Sequence, residues 1–505
     1  MKRRTSPDTY SRRLNKRCLG ALAAGLAGIL AITPALATPP MVSSPELSPP
    51  TTTTGNPSNA TPETVAPAGF FSQMGHSDTM LGDMGGLRPF LAKYGLTLSI
   101  LETSEILGNV TGGTNTGFEY DGLTQMVLQL DTERAFGLHG GTFNVSGLQI
   151  HGRNLSADNL DALQTASGIE ADRSTRLWEL WYEQEFLPED RLSVKIGQQS
   201  LDQEFMVSDN ALLFVNTMFG WPMLPSADMP GGGPAYPLSA LGVRFKYQAT
   251  DSLSVLAGVF NGTPVADLND DPQQANATGT NFLVGQGALF IGELQYSIPG
   301  LGSMVYSDKK ALSGKYKLGF WYDTLDFADQ QQDTNGFSLA DPNSNGMPRQ
   351  HHGDYAFYGV VDQELWTDPS DEDADRTINF FARAMGTPEE DRNLIDASVN
   401  AGFTFHEPIP GRGDDTLGIG MGYAKVGDSA ARLDQDTGFF SNTYNPTQNS
   451  EEFVELTYQY EIAPWWQVQP DIQYIINPGG GVLNSQTGNA VSNELVLGVR
   501  TNINF

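Results

Sequence analysis

The side chains in this chain that could do chemistry are cations, carboxylates and aromatic rings, and their spacing suits recognition better than catalysis. The six histidines (His76, His139, His151, His351, His352 and His406) show no metal-ligand spacing, and no serine sits in a G-x-S-x-G elbow. Asp/Glu pairs are plentiful, but none is marked out for acid–base work. No enzyme activity, cofactor or metal is therefore expected. What remains is a set of groups for weak, reversible contact. Arg153 ends a segment at H-G-R-N, and a guanidinium carries five donors in a rigid fork. Arg176, Glu179, Trp181, Glu183, Lys195, Arg244 and Lys246 fall on polar faces or at segment ends. Residues 201–238 add Phe214, Phe219, Trp221 and Met223 before the turn M-P-G-G-G-P. So long a connection is either functional or disordered, and this one is too aromatic for disorder. It either folds inward, offering its rings, or caps the outside.

The elements that must position these groups are strands. The final stretch, 492–505, alternates Leu495, Leu497, Val499, Thr501, Ile503 and Phe505 with Glu494, Val496, Gly498, Arg500, Asn502 and Asn504. Successive side chains of a strand point to opposite faces, so this segment has one apolar and one polar face. The same alternation sets Leu241, Val243, Phe245 and Tyr247 against Gly242, Arg244, Lys246 and Gln248. It recurs in many of sixteen strand-like segments: 94–107, 121–134, 141–151, 175–187, 191–200, 239–249, 252–261, 285–298, 313–325, 353–366, 375–387, 393–406, 415–425, 451–462, 465–477 and 493–505. Tight turns (187–191, 249–252, 462–465) alternate with long loops (152–174, 201–238, 262–284, 326–352, 426–450). An even strand number with short turns on one side and long loops on the other predicts an all-β transmembrane antiparallel barrel of sixteen strands. Its polar face would leave many groups unsatisfied in a dry core, so it should line water. Trp366, Tyr458, Tyr460, Trp465 and Trp466 suit aromatic girdles at the membrane interfaces.

Composition agrees. The chain has 505 residues, 55 of them Gly, and 10% are aromatic. No run of about 18 apolar residues follows residue 40, which argues against membrane helices. Residues 1–37 read as a cleaved export signal, with a basic start, an apolar stretch and the small-residue site Ala35-Leu36-Ala37. The single cysteine, Cys18, opens that apolar stretch, so a mature chain would have no thiol. Residues 38–80, rich in Pro, Thr and Ser, read as a disordered periplasmic segment, and 81–93 as a short helical motif ahead of a barrel spanning 94–505. A net charge of −30 argues against nucleic acid as a partner. The acidic run D-P-S-D-E-D-A-D reads as a solvated periplasmic turn.

Several stretches together resemble the carbohydrate-selective porins of the OprB type. They are G-D-M-G-G-L-R-P-F-L-A-K-Y-G-L-T-L at 82–98, with Met84 where the family usually has Trp, and R-L-W-E-L-W-Y-E-Q at 176–184 with K-I-G-Q after it. F-V-N-T-M-F-G at 214–220, P-W-W-Q-V-Q-P-D-I-Q-Y-I-I-N-P-G-G at 464–480 and the closing G-V-R-T-N-I-N-F complete the set. The resemblance covers about 81–505. It implies an outer-membrane porin passing small neutral sugars by facilitated diffusion through an eyelet narrowed by infolded loops, with Arg153 at the eyelet. General diffusion with little sugar selectivity and a barrel enzyme are the alternatives. The implied surroundings are outer-membrane lipid and lipopolysaccharide, with the barrel-assembly machinery engaged through the strand ending at Phe505. Assembly stays open between a monomer and a homotrimer.

Overall fold

The computed structural model describes residues 77–268, 271–298, 312–368 and 376–505. The expected leader, residues 38–76 of the Pro-rich segment, and 369–375 of the acidic run lie outside the described residues. Among the described residues, sixteen antiparallel strands close into one barrel, each paired with its sequence neighbours and the first with the last. They are β1 (Leu96–Thr111), β2 (Gly117–Asp131), β3 (Gly141–Gly152), β4 (Ser174–Phe186), β5 (Leu192–Gln199) and β6 (Ala240–Thr250). Next come β7 (Leu253–Phe260), β8 (Leu289–Ile298), β9 (Gly314–Asp333), β10 (Pro348–Thr367) and β11 (Thr377–Gly386). The wall ends with β12 (Ile395–His406), β13 (Thr416–Val426), β14 (Ser450–Ala463), β15 (Trp466–Ile476) and β16 (Glu494–Asn504). No described helix is long and apolar enough to cross a membrane.

The alternation read in the sequence sorts side chains as expected. On β6, Phe245 and Tyr247 are exposed on the outer wall while Arg244 is 3% exposed inside. Closure uses the terminal strand: Leu101 of β1 pairs with Asn504, and the Phe505 amide donates to the Ile100 carbonyl. A short helix, Leu87–Ala92, sits beside this seam, where Arg88 donates to the Phe505 carbonyl.

Two boundaries differ from the sequence reading. The expected loop 326–352 is shorter at both ends, because β9 runs on to Asp333 and β10 begins at Pro348, each 20 residues long, and the two form a long hairpin. Polar residues hid it: beyond the membrane both faces of a hairpin meet water, so the apolar alternation stops before the pairing does. Likewise β1 runs past Gly108. That glycine resembles a breaker, yet the ring of Phe118, its partner on β2, fills the space a Cβ would occupy.

The lumen is crossed by the segment 201–238 together with 153–173. On β13 the inward positions Gly418, Gly420 and Gly422 form a trough. A Cβ at Gly420 would lie 2.6 Å from the Phe219 ring and 2.9 Å from Phe214. Phe214 and Phe219 stack at 4.3 Å between centroids, and Phe219 meets Phe381 and Phe453 edge-on. Burying each ring contributes about 1.5–3 kcal/mol, so wall and loop share one apolar core. Gly420→Val is expected to overpack this trough and cost about 1–3 kcal/mol of loop seating. Faster protease cleavage within 201–238, with strand content unchanged, is the readout; wild-type cleavage would remove the trough from the account.

Candidate functional site

Inward polar residues of the wall pin the infolded loop through its backbone. Glu455 accepts from the amides of Val215 (2.6 Å) and Asn216 (3.0 Å). Asp362 accepts from the Ser208 hydroxyl and the Asn210 amide, and Glu293 from the amide of Met206. Arg383 works with the opposite sign, donating to the carbonyls of Met206, Met218, Phe219 and Gly220. Arg500 pairs with Glu105, both fully buried, beside the Val215 carbonyl. An irregular segment in a lumen must satisfy each buried amide and carbonyl, and these wall groups are its partners.

The anchored loop leaves a polar recess of about 200 Å³ against β1–β5. Thr97, Ser99, Gln129 and Asn144 line one side, and Glu179, Trp181, Lys195, Gln203 and Glu204 the other. Adjacent strands supply the charged groups at alternating positions, since Glu183 pairs in register with Lys195 and Lys195 with Arg244. The result is an interleaved set of signs. Arg244 donates to Glu183 at 2.8 Å and approaches Glu204 at 2.6 Å, while Lys195 pairs with Glu204 and stands 3.9 Å from Glu183. Trp181 is fixed within it: Lys195 Nζ lies 4.4 Å from the ring centroid, and the indole N–H donates to Glu179 at 3.2 Å. Glu179 also accepts the Ser200 amide at 3.0 Å, which ties the ring to the start of the loop.

Burial pushes the Glu204 carboxyl up, but the Lys195 and Arg244 charges outweigh it and hold its pKa at about 2. A folded pKa below the ordinary 4.5 means that its contribution is full above about pH 4.5 and is lost as pH falls toward 2. The Glu204 ion pairs should therefore contribute fully between about pH 8 and pH 5, with any loosening from this carboxyl confined to lower pH. Comparing conductance titrations of wild type and Glu204→Gln checks this; a difference between the two that is lost near neutral pH would contradict it.

Of the side chains singled out from sequence, the structure brings Glu179, Trp181, Glu183, Lys195 and Arg244 together. Lys246 faces inward on β6 but stands apart, exposed near the 250–253 turn. Two placements correct the reading. Trp221 (0% exposed) and Phe219 (1%) are sealed in the apolar core that loop and wall share, with the Trp221 indole donating to the Gly232 carbonyl, so neither offers a face to a solute. Arg176 is 3% exposed and holds loop backbone at Pro237 and Gln273. Arg153, just past β3, has its side chain 71% exposed and 4.0 Å from Glu119, apart from the recess, a placement that does not contradict the eyelet expectation. Sequence reasoning missed Glu204, Gln203 and the anchor Arg383. Only the inward parity of Arg383 on β11 could have signalled it, because loop residues have no period to read.

Comparison with known proteins gives concordant results. A family model described as "Carbohydrate-selective porin, OprB family" matches residues 115–505. Porin B of Pseudomonas aeruginosa is 26% identical over 449 residues, covering 84% of this chain and 91% of that protein. A putative porin, QuiX, of Acinetobacter baylyi is 23% identical over 420 residues, covering 79% and 89%. Among solved structures, the high-pH structure of Pseudomonas putida OprB superposes with a TM-score of 0.73 at 24% identity, covering 85% of this chain and 99% of that one.

Proposed function

This chain belongs to the OprB family of carbohydrate-selective porins, outer-membrane β-barrel channels, and from that premise we propose that its sugar selectivity is set in the recess beside Trp181. The observation that carries this reading is the fixed indole, held by Lys195 and Glu179 next to hydroxyl and amide side chains. An aromatic face complements the C–H face of a pyranose, and the surrounding donors and acceptors complement its hydroxyls. Neither contact requires a charged solute. The cations are already matched by Glu183 and Glu204, so the recess presents hydrogen-bonding capacity rather than strong net charge. A channel must also release what it binds, and neutral hydrogen bonds of about 0.5–1.5 kcal/mol net meet that need.

The size supports the same reading. Liquid water occupies about 30 Å³ per molecule, so the recess holds several waters or one small ring in their place. Purified protein in a planar bilayer should show ion current that neutral monosaccharides block reversibly at millimolar concentration, corresponding to about −4 kcal/mol. Current without sugar block would favour general diffusion instead.

For biogenesis, we propose that the barrel-assembly machinery reads the β16 edge. Deleting Phe505 removes the bond to Ile100 and the carbonyl that Arg88 holds. The amount of folded, heat-modifiable barrel in the outer membrane should then fall sharply. An unchanged yield would count against this role.

A further inference from the structure

Two buried carboxylates stand opposite each other at the rim of the barrel. Asp323 is the last residue of β9 to pair with β8, and on its other side it pairs in register with Asp354 of β10. Both side chains turn inward and are 0% exposed. Each has one oxygen bonded: Asp323 Oδ1 accepts the Leu325 amide at 2.8 Å, and Asp354 Oδ1 the Asn393 side-chain amide at 2.9 Å. Their Oδ2 atoms accept from none of the described residues. Like charges directly opposite on adjacent strands are destabilising, and a buried charge is ordinarily paired or bound to a metal.

The infolded loop brings a third carboxylate to the same place. Asp228 ends the short helix Met223–Asp228, and its Oδ1 accepts the amides of Leu394 at 2.9 Å and Ile395 at 3.2 Å, the two residues that follow Asn393. Its Oδ2 also has no donor among the described residues, and neither has the Asn393 Oδ1, an uncharged acceptor on a side chain 1% exposed. The guanidinium beside this group, Arg392, is taken up by Glu389 at 2.7 Å and Asp391 at 2.9 Å. Four buried oxygens therefore lack a donor, three of them on carboxylates that form no ion pair among the described residues.

We infer that Asp323 and Asp354 bind a calcium ion, which fastens the Asp228 end of the infolded loop to the barrel rim. The donors are all oxygen, a set that suits a hard divalent cation rather than a transition metal. Calcium takes about six to eight oxygens in flexible geometry, so carboxylate, amide and water oxygens can share the task. Among the described residues no three acidic, histidine or cysteine side chains already close on a common metal position. The ion therefore bridges the Asp323–Asp354 pair and draws Asp228 and Asn393 toward it, with water completing the set. Arg383 and Glu455 hold other parts of the same loop, so the ion adds a tie at its far side. The inference is independent of which solute passes through the pore.

The test uses the purified full chain in mild detergent, stripped with a chelator, and terbium as the probe. Trp321, the inward neighbour of Asp323 on β9, should sensitise terbium luminescence that saturates at a single site, and calcium but not potassium should reverse it. Asp323→Asn combined with Asp354→Asn keeps both Oδ1 acceptors and removes both charges. It should abolish the signal while the folded band stays heat-modifiable. Calcium should slow protease cleavage within 201–238 severalfold in wild type and leave the double variant unaffected. Asp326→Asn, which alters an exposed carboxylate further along β9, should change neither readout. Absence of saturable luminescence from wild type overturns the inference. So does an equal signal from the double variant, which would mark an adventitious ion only. If the double variant fails to fold, Asp228→Asn decides: calcium protection of the loop should be lost there, and unchanged protection overturns the inference. No readout involves sugar, so failure here leaves the recess beside Trp181 untouched.

Discussion

Arg383→Met opens the pore: single-channel conductance rises at least about twofold and sugar block is largely lost, while the barrel remains folded. The reason lies in what Arg383 holds. It is 1% exposed on β11, and its donors reach the carbonyls of Met206 at 2.7 Å, Gly220 at 3.0 Å and Phe219 at 3.0 Å, as well as that of Met218. A hydrogen bond to a charged group contributes about 1.5–3 kcal/mol, and a buried carbonyl left without a donor costs a further 1–3 kcal/mol. Methionine fills comparable volume but donates nothing, so four loop carbonyls would seek water. The loop can find it only by leaving the wall. Glu455 and Asp362 still hold its first half, and so the expected product is a displaced loop in an intact barrel. Heat-modifiability and strand content report on the barrel, and conductance reports on the loop. Unchanged conductance would show that the aromatic trough on β13 seats the loop without Arg383.

How much of this was legible in the sequence follows from where periodicity applies. A strand repeats every two residues, so sixteen segments and their two faces could be read directly, and Lys195 and Arg244 could be assigned to the lumen from parity alone. Ends were harder. Gly108 resembles a breaker until its cross-strand partner Phe118 is known, and the outer part of the β9–β10 hairpin carries no apolar stripe because both its faces meet water. Loops have no repeat at all. The aromatic content of 201–238 correctly marked an ordered segment, but an aromatic ring can order a loop by filling the core that it shares with the wall. That is the fate of Trp221 and Phe219, whereas the ring beside the recess, Trp181, comes from a strand. Arg153 illustrates the same limit: one residue past the end of β3, strand parity no longer says which way a side chain points, and its exposed guanidinium stands beside Glu119 rather than in the recess.

Trp181→Ala should weaken reversible block by a neutral monosaccharide roughly tenfold, about 1.4 kcal/mol, with little change in potassium chloride conductance. The ring is the one apolar surface in the recess whose orientation is fixed from two sides, by the Lys195 ammonium at 4.4 Å and by the bond to Glu179. Alanine removes the stacking face but leaves the interleaved charges, so small ions should pass much as before. Lys195→Met separates the two contributions. It keeps the indole but removes the cation and leaves Glu204 with Arg244 alone, so ion selectivity should shift toward cations while part of the sugar block survives. In the double variant the losses should be less than additive, because Lys195 acts on the sugar partly by holding the ring, and contacting residues commonly couple by about 0.5–3 kcal/mol. Measuring block across this cycle decides between a stacking platform and a purely electrostatic eyelet. If Trp181→Ala kept wild-type block while Lys195→Met abolished it, the ring would be no more than packing for the ammonium, and selectivity would rest on the charges alone.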